Sequence, residues 1–143
     1  MSQRYFEDVH EGDELPPMVK NASRAQLFLF SAATQNPHRI HYDREYAAVE
    51  GHPDVLVHGP LQGAWLSQLV TDWAGPKGRV LNVGWQNRAR GFPEQDLTWR
   101  GKVTATRREG NRGIVELEIV ETNPEGQTLV PGTATVALPL RGS

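Results

Sequence analysis

The chain has 143 residues, 38% of them hydrophobic and 22% charged, which predicts one compact soluble domain over residues 1–143. Fifteen basic against seventeen acidic residues leave a net charge of −2 with no basic block, which argues against nucleic acid as a partner. The absence of cysteine excludes disulfides, thiolate metal sites and thiol nucleophiles.

The opening MSQRYFEDVHEGDE lacks a basic region followed by an apolar run, and nowhere do about eighteen apolar residues run together, so a cytoplasmic protein with no membrane span is expected. Two prolines between Gly12 and Val19 mark an extended lead-in, and Asn21 to Ser23 supply an N-cap for a short helix, Arg24 to Ala33. A polar loop follows from Thr34 to His41, in which Pro37 disfavours helical geometry at Asn36. Asp43 then caps a second short helix, Arg44 to Glu50, ended by Gly51.

Pro60 suits the first turn of a longer helix and Gly75-Pro76 its stop. Between them Leu61, Ala64, Trp65, Leu66, Leu69, Val70 and Trp73 cover most of the circumference, so this helix is predicted to be buried, with Trp65 and Trp73 in the core. Gly63 and Ala64 allow it to lie close to a neighbouring backbone. The partner is a sheet: Arg79 to Arg90 reads as one strand, and Leu97, Trp99, Gly101, Val103 and Ala105 alternate with polar residues in the next. Val115, Leu117 and Ile119, then Ala134, Val136 and Leu138, continue the period across a turn at Asn123, Pro124 and Gly126. The predicted class is α+β, a curved antiparallel sheet wrapped around a central buried helix.

Two segments carry chemistry. The loop Thr34-Gln35-Asn36-Pro37-His38-Arg39-Ile40-His41-Tyr42-Asp43 offers His41 as a base able to take a proton from water near neutral pH, with the Asn36 amide to hold that water or the imidazole. His58-Gly59-Pro60-Leu61 offers the Gly59 N–H at the positive end of a helix to polarise a carbonyl. His38 and His41 have H-x-x-H spacing, but no third histidine or carboxylate stands at helical spacing beside them, and no metal is expected.

At these residues the sequence resembles the MaoC-like (R)-specific enoyl-CoA hydratases and type 2 hydroxyacyl-thioester dehydratases, whose signature reads S-G-D-x-N-P-(I/L)-H-x-D followed later by H-G. The resemblance runs from Phe6-Glu7-Asp8-Val9 and Gly12-Asp13 through both loops to Phe92-Pro93-Glu94-Gln95-Asp96. It implies a hot-dog fold and a lyase that adds water reversibly to a 2-enoyl thioester. The implied partner is an acyl-CoA or acyl-carrier thioester, with coenzyme A part of the substrate and no further cofactor. It also implies a homodimer or higher oligomer, or a heteromer with a second MaoC-like chain.

Carried over residue by residue, His41 is the catalytic histidine, Asn36 its polar partner and Thr34 a further catalytic position, while Gly59, Pro60, Arg39 and His38 bind substrate. Thr34 stands where the family has an aspartate. The lengthened Asn-Pro-His-Arg-Ile-His matches the branch reading N-x-H-R-I-H-Y-D, in which that aspartate is absent. Arg79, Arg88, Arg90 and Arg100 are candidates for the coenzyme A phosphates. The alternative functions are a non-catalytic acyl-thioester-binding subunit, suggested by Thr34, and a thioesterase, for which the long helix offers Asp72 alone as a carboxylate.

Overall fold

A computed structural model of the chain describes residues 2–142. After a strand β1 (Met18–Lys20), Ser23 opens helix α1 (Arg24–Ala33), its side chain accepting the Gln26 N–H over 3.0 Å. Asp43 opens α2 (Arg44–Val49) in the same way, accepting the Tyr46 N–H over 3.1 Å. The long helix α3 (Gly59–Ala74) carries Pro60 in its first turn and stops at Gly75, whose φ of 77° suits a residue without a Cβ.

Strands β2 (Arg79–Trp85), β3 (Leu97–Glu109), β4 (Arg112–Thr122) and β5 (Thr128–Pro139) join β1 in one antiparallel sheet of order β1-β3-β4-β5-β2. The core lies between this sheet and α3: Leu66, Leu69 and Val70 of the helix share it with Trp99, Leu117, Ile119 and Val136 of the strands. Each such side chain contributes roughly 1.5–3 kcal/mol by leaving water. This is the hot-dog arrangement implied by the sequence.

Four details differ from the sequence reading. The long helix is not apolar all round, because Pro60, Ala64, Gln68, Thr71 and Asp72 form an exposed stripe. Gly63 makes room for a side chain rather than a backbone, since a Cβ there would run into the Trp85 ring. The β3 alternation breaks at a register shift between Val103 and Ala105, which leaves Ala105 exposed, and the strand expected to reach Arg90 stops at Trp85. Beyond Trp85 the chain remains tied to β5 by Gln86 N–H to Pro131 O and by Arg88 and Ala89 N–H to Leu129 O. Two amides sharing one carbonyl bend the segment away from ladder geometry and toward the N-terminus of α3.

Candidate active site

The loop after α1 is shaped by its own backbone. Gln35 turns into the left-handed region at φ 52°, and Asn36 N–H returns to Ser31 O. A 3-10 turn, Arg39–His41, then runs beside the segment before α3, where Leu56 N–H donates to Ile40 O over 2.9 Å. The Leu56 carbonyl in turn accepts from His41 Nδ1 over 2.9 Å. A carbonyl only accepts, so Nδ1 carries the proton and Nε2 keeps its lone pair. Half-burial holds the His41 pKa below the ordinary histidine value, against the opposing pull of the Leu56 carbonyl, so the ring is a neutral base near pH 7.

His58, the N-cap of α3, is fully buried directly beneath it, with ring centroids 3.8 Å apart and planes 17° from parallel. A 2.7 Å hydrogen bond joins its Nε2 to Ser31 Oγ of α1, and Phe30 meets it edge-on. Burial, with His41 alongside, pushes its pKa down to about 4, so His58 is uncharged in the working range. The pair can therefore stack without repulsion.

His41 and Gly59 line one cavity of about 300 Å³, together with Leu56, Gln62, Asn87, Arg88 and Arg90. Two arginines and no carboxylate give it a positive character. Arg90 is held by Gly51 O and His52 Nδ1, and Arg88 by Gln86 Oε1. From the wall inward, Asn87 Nδ2 donates to Gln62 Oε1 over 2.8 Å and Gln62 Nε2 donates to Glu121 Oε2 over 2.6 Å. Glu121 is completely buried, and burial pushes its carboxyl up to about 7, against Gln62 and a Trp99 indole N–H that faces it without forming a well-aligned hydrogen bond.

Of the residues singled out in the sequence, the structure brings His41, Gly59, Arg88 and Arg90 to one cavity and leaves Thr34, Asn36, His38, Arg39, Pro60, Arg79 and Arg100 off its wall. Thr34 is exposed, and its hydroxyl donates to Phe30 O over 2.6 Å as part of the end of α1. Asn36 Oδ1 accepts the His38 N–H, and its side chain lines a separate depression with Phe28, Ser31 and Tyr42. His38 lies edge-on to His41 but pairs with Glu50 over 3.1 Å. Arg39 is exposed, pairs with Asp43 and stacks on Tyr46. Pro60 belongs to the exposed stripe of α3.

The histidine beneath His41 and the buried amide chain were not picked out from the sequence. The signal for His58 was its position at the mouth of a buried helix. Glu121 continues the inward period of Val115, Leu117 and Ile119 by two residues, so the strand pattern already placed a carboxylate in the core. Asn87 carries no local signal.

Residues 10–90 match the family model described as hydroxyacyl-thioester dehydratase type 2. The chain is 31% identical over 132 residues to the 3-oxo-4,17-pregnadiene-20-carboxyl-CoA hydratase beta subunit of Mycobacterium tuberculosis, covering 92% of this chain and 97% of that one. It is 49% identical over 64 residues to mesaconyl-C(4)-CoA hydratase of Chloroflexus aurantiacus, covering 40% of this chain but 23% of that longer protein. Among solved structures, the (R)-hydratase of A. caviae involved in PHA biosynthesis superposes with a TM-score of 0.84 at 24% identity, over 93% of this chain and 99% of that one, and shares the fold. The chain belongs to the hydroxyacyl-thioester dehydratase type 2 family, within the MaoC-like hot-dog proteins.

Proposed function

We infer that this chain is a lyase that adds water reversibly to a 2-enoyl thioester, giving the 3-hydroxyacyl thioester. The observation that carries the reading is the shared cavity of His41 and Gly59, with the Nε2 lone pair left free by the bond to Leu56. In hydration His41 Nε2 takes a proton from water as the oxygen bonds to C3, and the electron pair moves through C2 to the thioester oxygen. The Gly59 N–H, at the positive end of α3, stabilises that enolate oxygen. Returning the proton from His41 to C2 completes the addition.

The substrate is an acyl-CoA or acyl-carrier thioester, with Arg88 and Arg90 meeting the phosphate of the carrier at the cavity mouth. The chain works paired, as a homodimer or with a second MaoC-like chain. The beta-subunit name of the Mycobacterium tuberculosis relative supports the heteromeric form. Among the described residues no helix is long and apolar enough to cross a membrane, and we place the enzyme in the cytoplasm.

The test follows loss of enoyl-thioester absorbance on short, medium and branched 2-enoyl-CoA substrates, with free thiol measured in parallel. Wild type is expected to hydrate without releasing thiol, and His41→Ala to lose at least about 100-fold in kcat while folding normally. A folded wild type inert alone and active only after a second MaoC-like chain is added would make this the binding subunit of a heteromer. Among the described residues no carboxylate lines the cavity with His41, which favours that second reading. Thiol release independent of His41 would instead indicate a thioesterase, for which Asp72 is poorly placed on the exposed stripe.

A further inference from the structure

Asn87 lies over the first residue of α3, so closely that a Cβ on Gly59 would stand 2.6 Å from Asn87 Oδ1. It is the outer end of a chain whose inner members, Gln62 and Glu121, are 2% and 0% exposed. Two amides in series between a carboxyl group and a cavity have two self-consistent polarities. When Glu121 is ionised it can only accept, so Gln62 turns its NH2 inward and its oxygen toward Asn87. Asn87 then spends its NH2 on Gln62 and presents its oxygen beside Gly59. When Glu121 is protonated it gains a donor, which opens the reverse polarity: its O–H donates to the Gln62 oxygen, the Gln62 NH2 donates to Asn87 Oδ1, and Asn87 presents its NH2 to the cavity.

We propose that Asn87 is a substrate-facing polar group of this cavity and that Glu121, acting through Gln62 as a positioning residue, sets whether Asn87 offers a donor or an acceptor beside the Gly59 N–H. The donor form is the productive one, because it adds a second N–H where the thioester oxygen becomes an enolate, whereas the acceptor form places one oxygen against another. This deepens the hydratase reading and rests on it for the identity of the substrate.

The surroundings of Glu121 suit a carboxyl that exchanges its proton near neutrality. It faces Gln62 from α3, Trp99 across the ladder from β3 and Val130 across the ladder from β5, none of them charged, and its shift contains no contribution from a neighbouring charge. Its Oε1 has no hydrogen-bond partner among the described residues, which penalises the ionised form. At the cavity end the titratable side chains are His41, Arg88 and Arg90.

The test reads the side-chain amide 15N–1H resonances of Gln62 and Asn87 between about pH 5.5 and about pH 8.5, in wild type and Glu121→Gln, alongside crotonyl-CoA hydration over the same range. Both amides are expected to titrate with one midpoint in wild type and to stay fixed in Glu121→Gln, which also loses the alkaline fall in kcat. Asn87→Asp, which carries acceptors only, is expected to lose about 100-fold in kcat with KM little changed. Amides that do not titrate, or that titrate unchanged in Glu121→Gln, overturn the relay, and the wild-type titration needs no variant to fold. A wild type inert on crotonyl-CoA would count against the hydratase reading, while the amide titration would still decide the relay.

Discussion

His58 and Glu121 are both sealed in the protein, yet burial moves them in opposite directions, the imidazole from 6.5 down to about 4 and the carboxyl from 4.5 up to about 7. Between pH 4 and 6.5 the unfolded chain holds a proton on His58 that the native state lacks, so its contribution rises with pH and is complete above 6.5. Glu121 does the reverse: below 4.5 its contribution is full, and it is lost as pH rises toward and through 7. Each term is worth at most about 3 kcal/mol, and in the shared window they oppose one another. His41 is shifted in the same direction as His58, so the stability of wild type in urea is expected to rise with pH between about pH 5 and about pH 6.5 less steeply than that of Glu121→Gln, which lacks the opposing carboxyl. A flat profile in that variant would contradict the account of the two stacked histidines. At the cavity mouth, replacing Arg88 and Arg90 together by Ala is expected to raise KM for CoA thioesters about tenfold while leaving kcat within about twofold, measured by initial rates.

At the scale of elements, α3 is positioned by close contact with its neighbours. In an isolated helix Gly63→Ala would gain about 1 kcal/mol, but here the added methyl displaces the Trp85 ring, and overpacking costs roughly 1–3 kcal/mol. A net loss of about 1 kcal/mol is expected in denaturant melts, and the sign should reverse in a Trp85→Ala background. The helices were legible in the sequence because their ends are decided locally: Ser23 and Asp43 cap through their own side chains, and Pro60 and Gly75 fix their own backbones. The end of β2 was not, because it depends on a carbonyl of β5 shared by Arg88 and Ala89. The site divides the same way. His41 and Gly59 were readable from their loop and helix start, while the Thr34 hydroxyl and Asn36 amide were already committed to backbone groups nearby, which polarity alone does not reveal.

For the molecule as a whole, the strand order puts β1 and β2 at the two edges of the sheet. β1 has three residues, and β2 carries a register break between Val80 and Asn82 that leaves Leu81 exposed. Light scattering of the purified chain is expected to give twice 15.9 kDa for the proposed homodimer. A 15.9 kDa species that becomes active only with a second chain would assign the pairing to a heteromer.

The orientation of His41 depends on the carbonyl of Leu56, a group every amino acid supplies. Its tautomer is thus encoded in the path of the main chain and not in the identity of a neighbouring side chain. That makes the tautomer robust to substitution: a change of side chain at position 34 or 56 leaves the Leu56 carbonyl in place, and the imidazole keeps its proton on Nδ1 without a carboxylate partner. Such a site is vulnerable instead to insertions and deletions that shift the loop against the Leu56 segment by one residue.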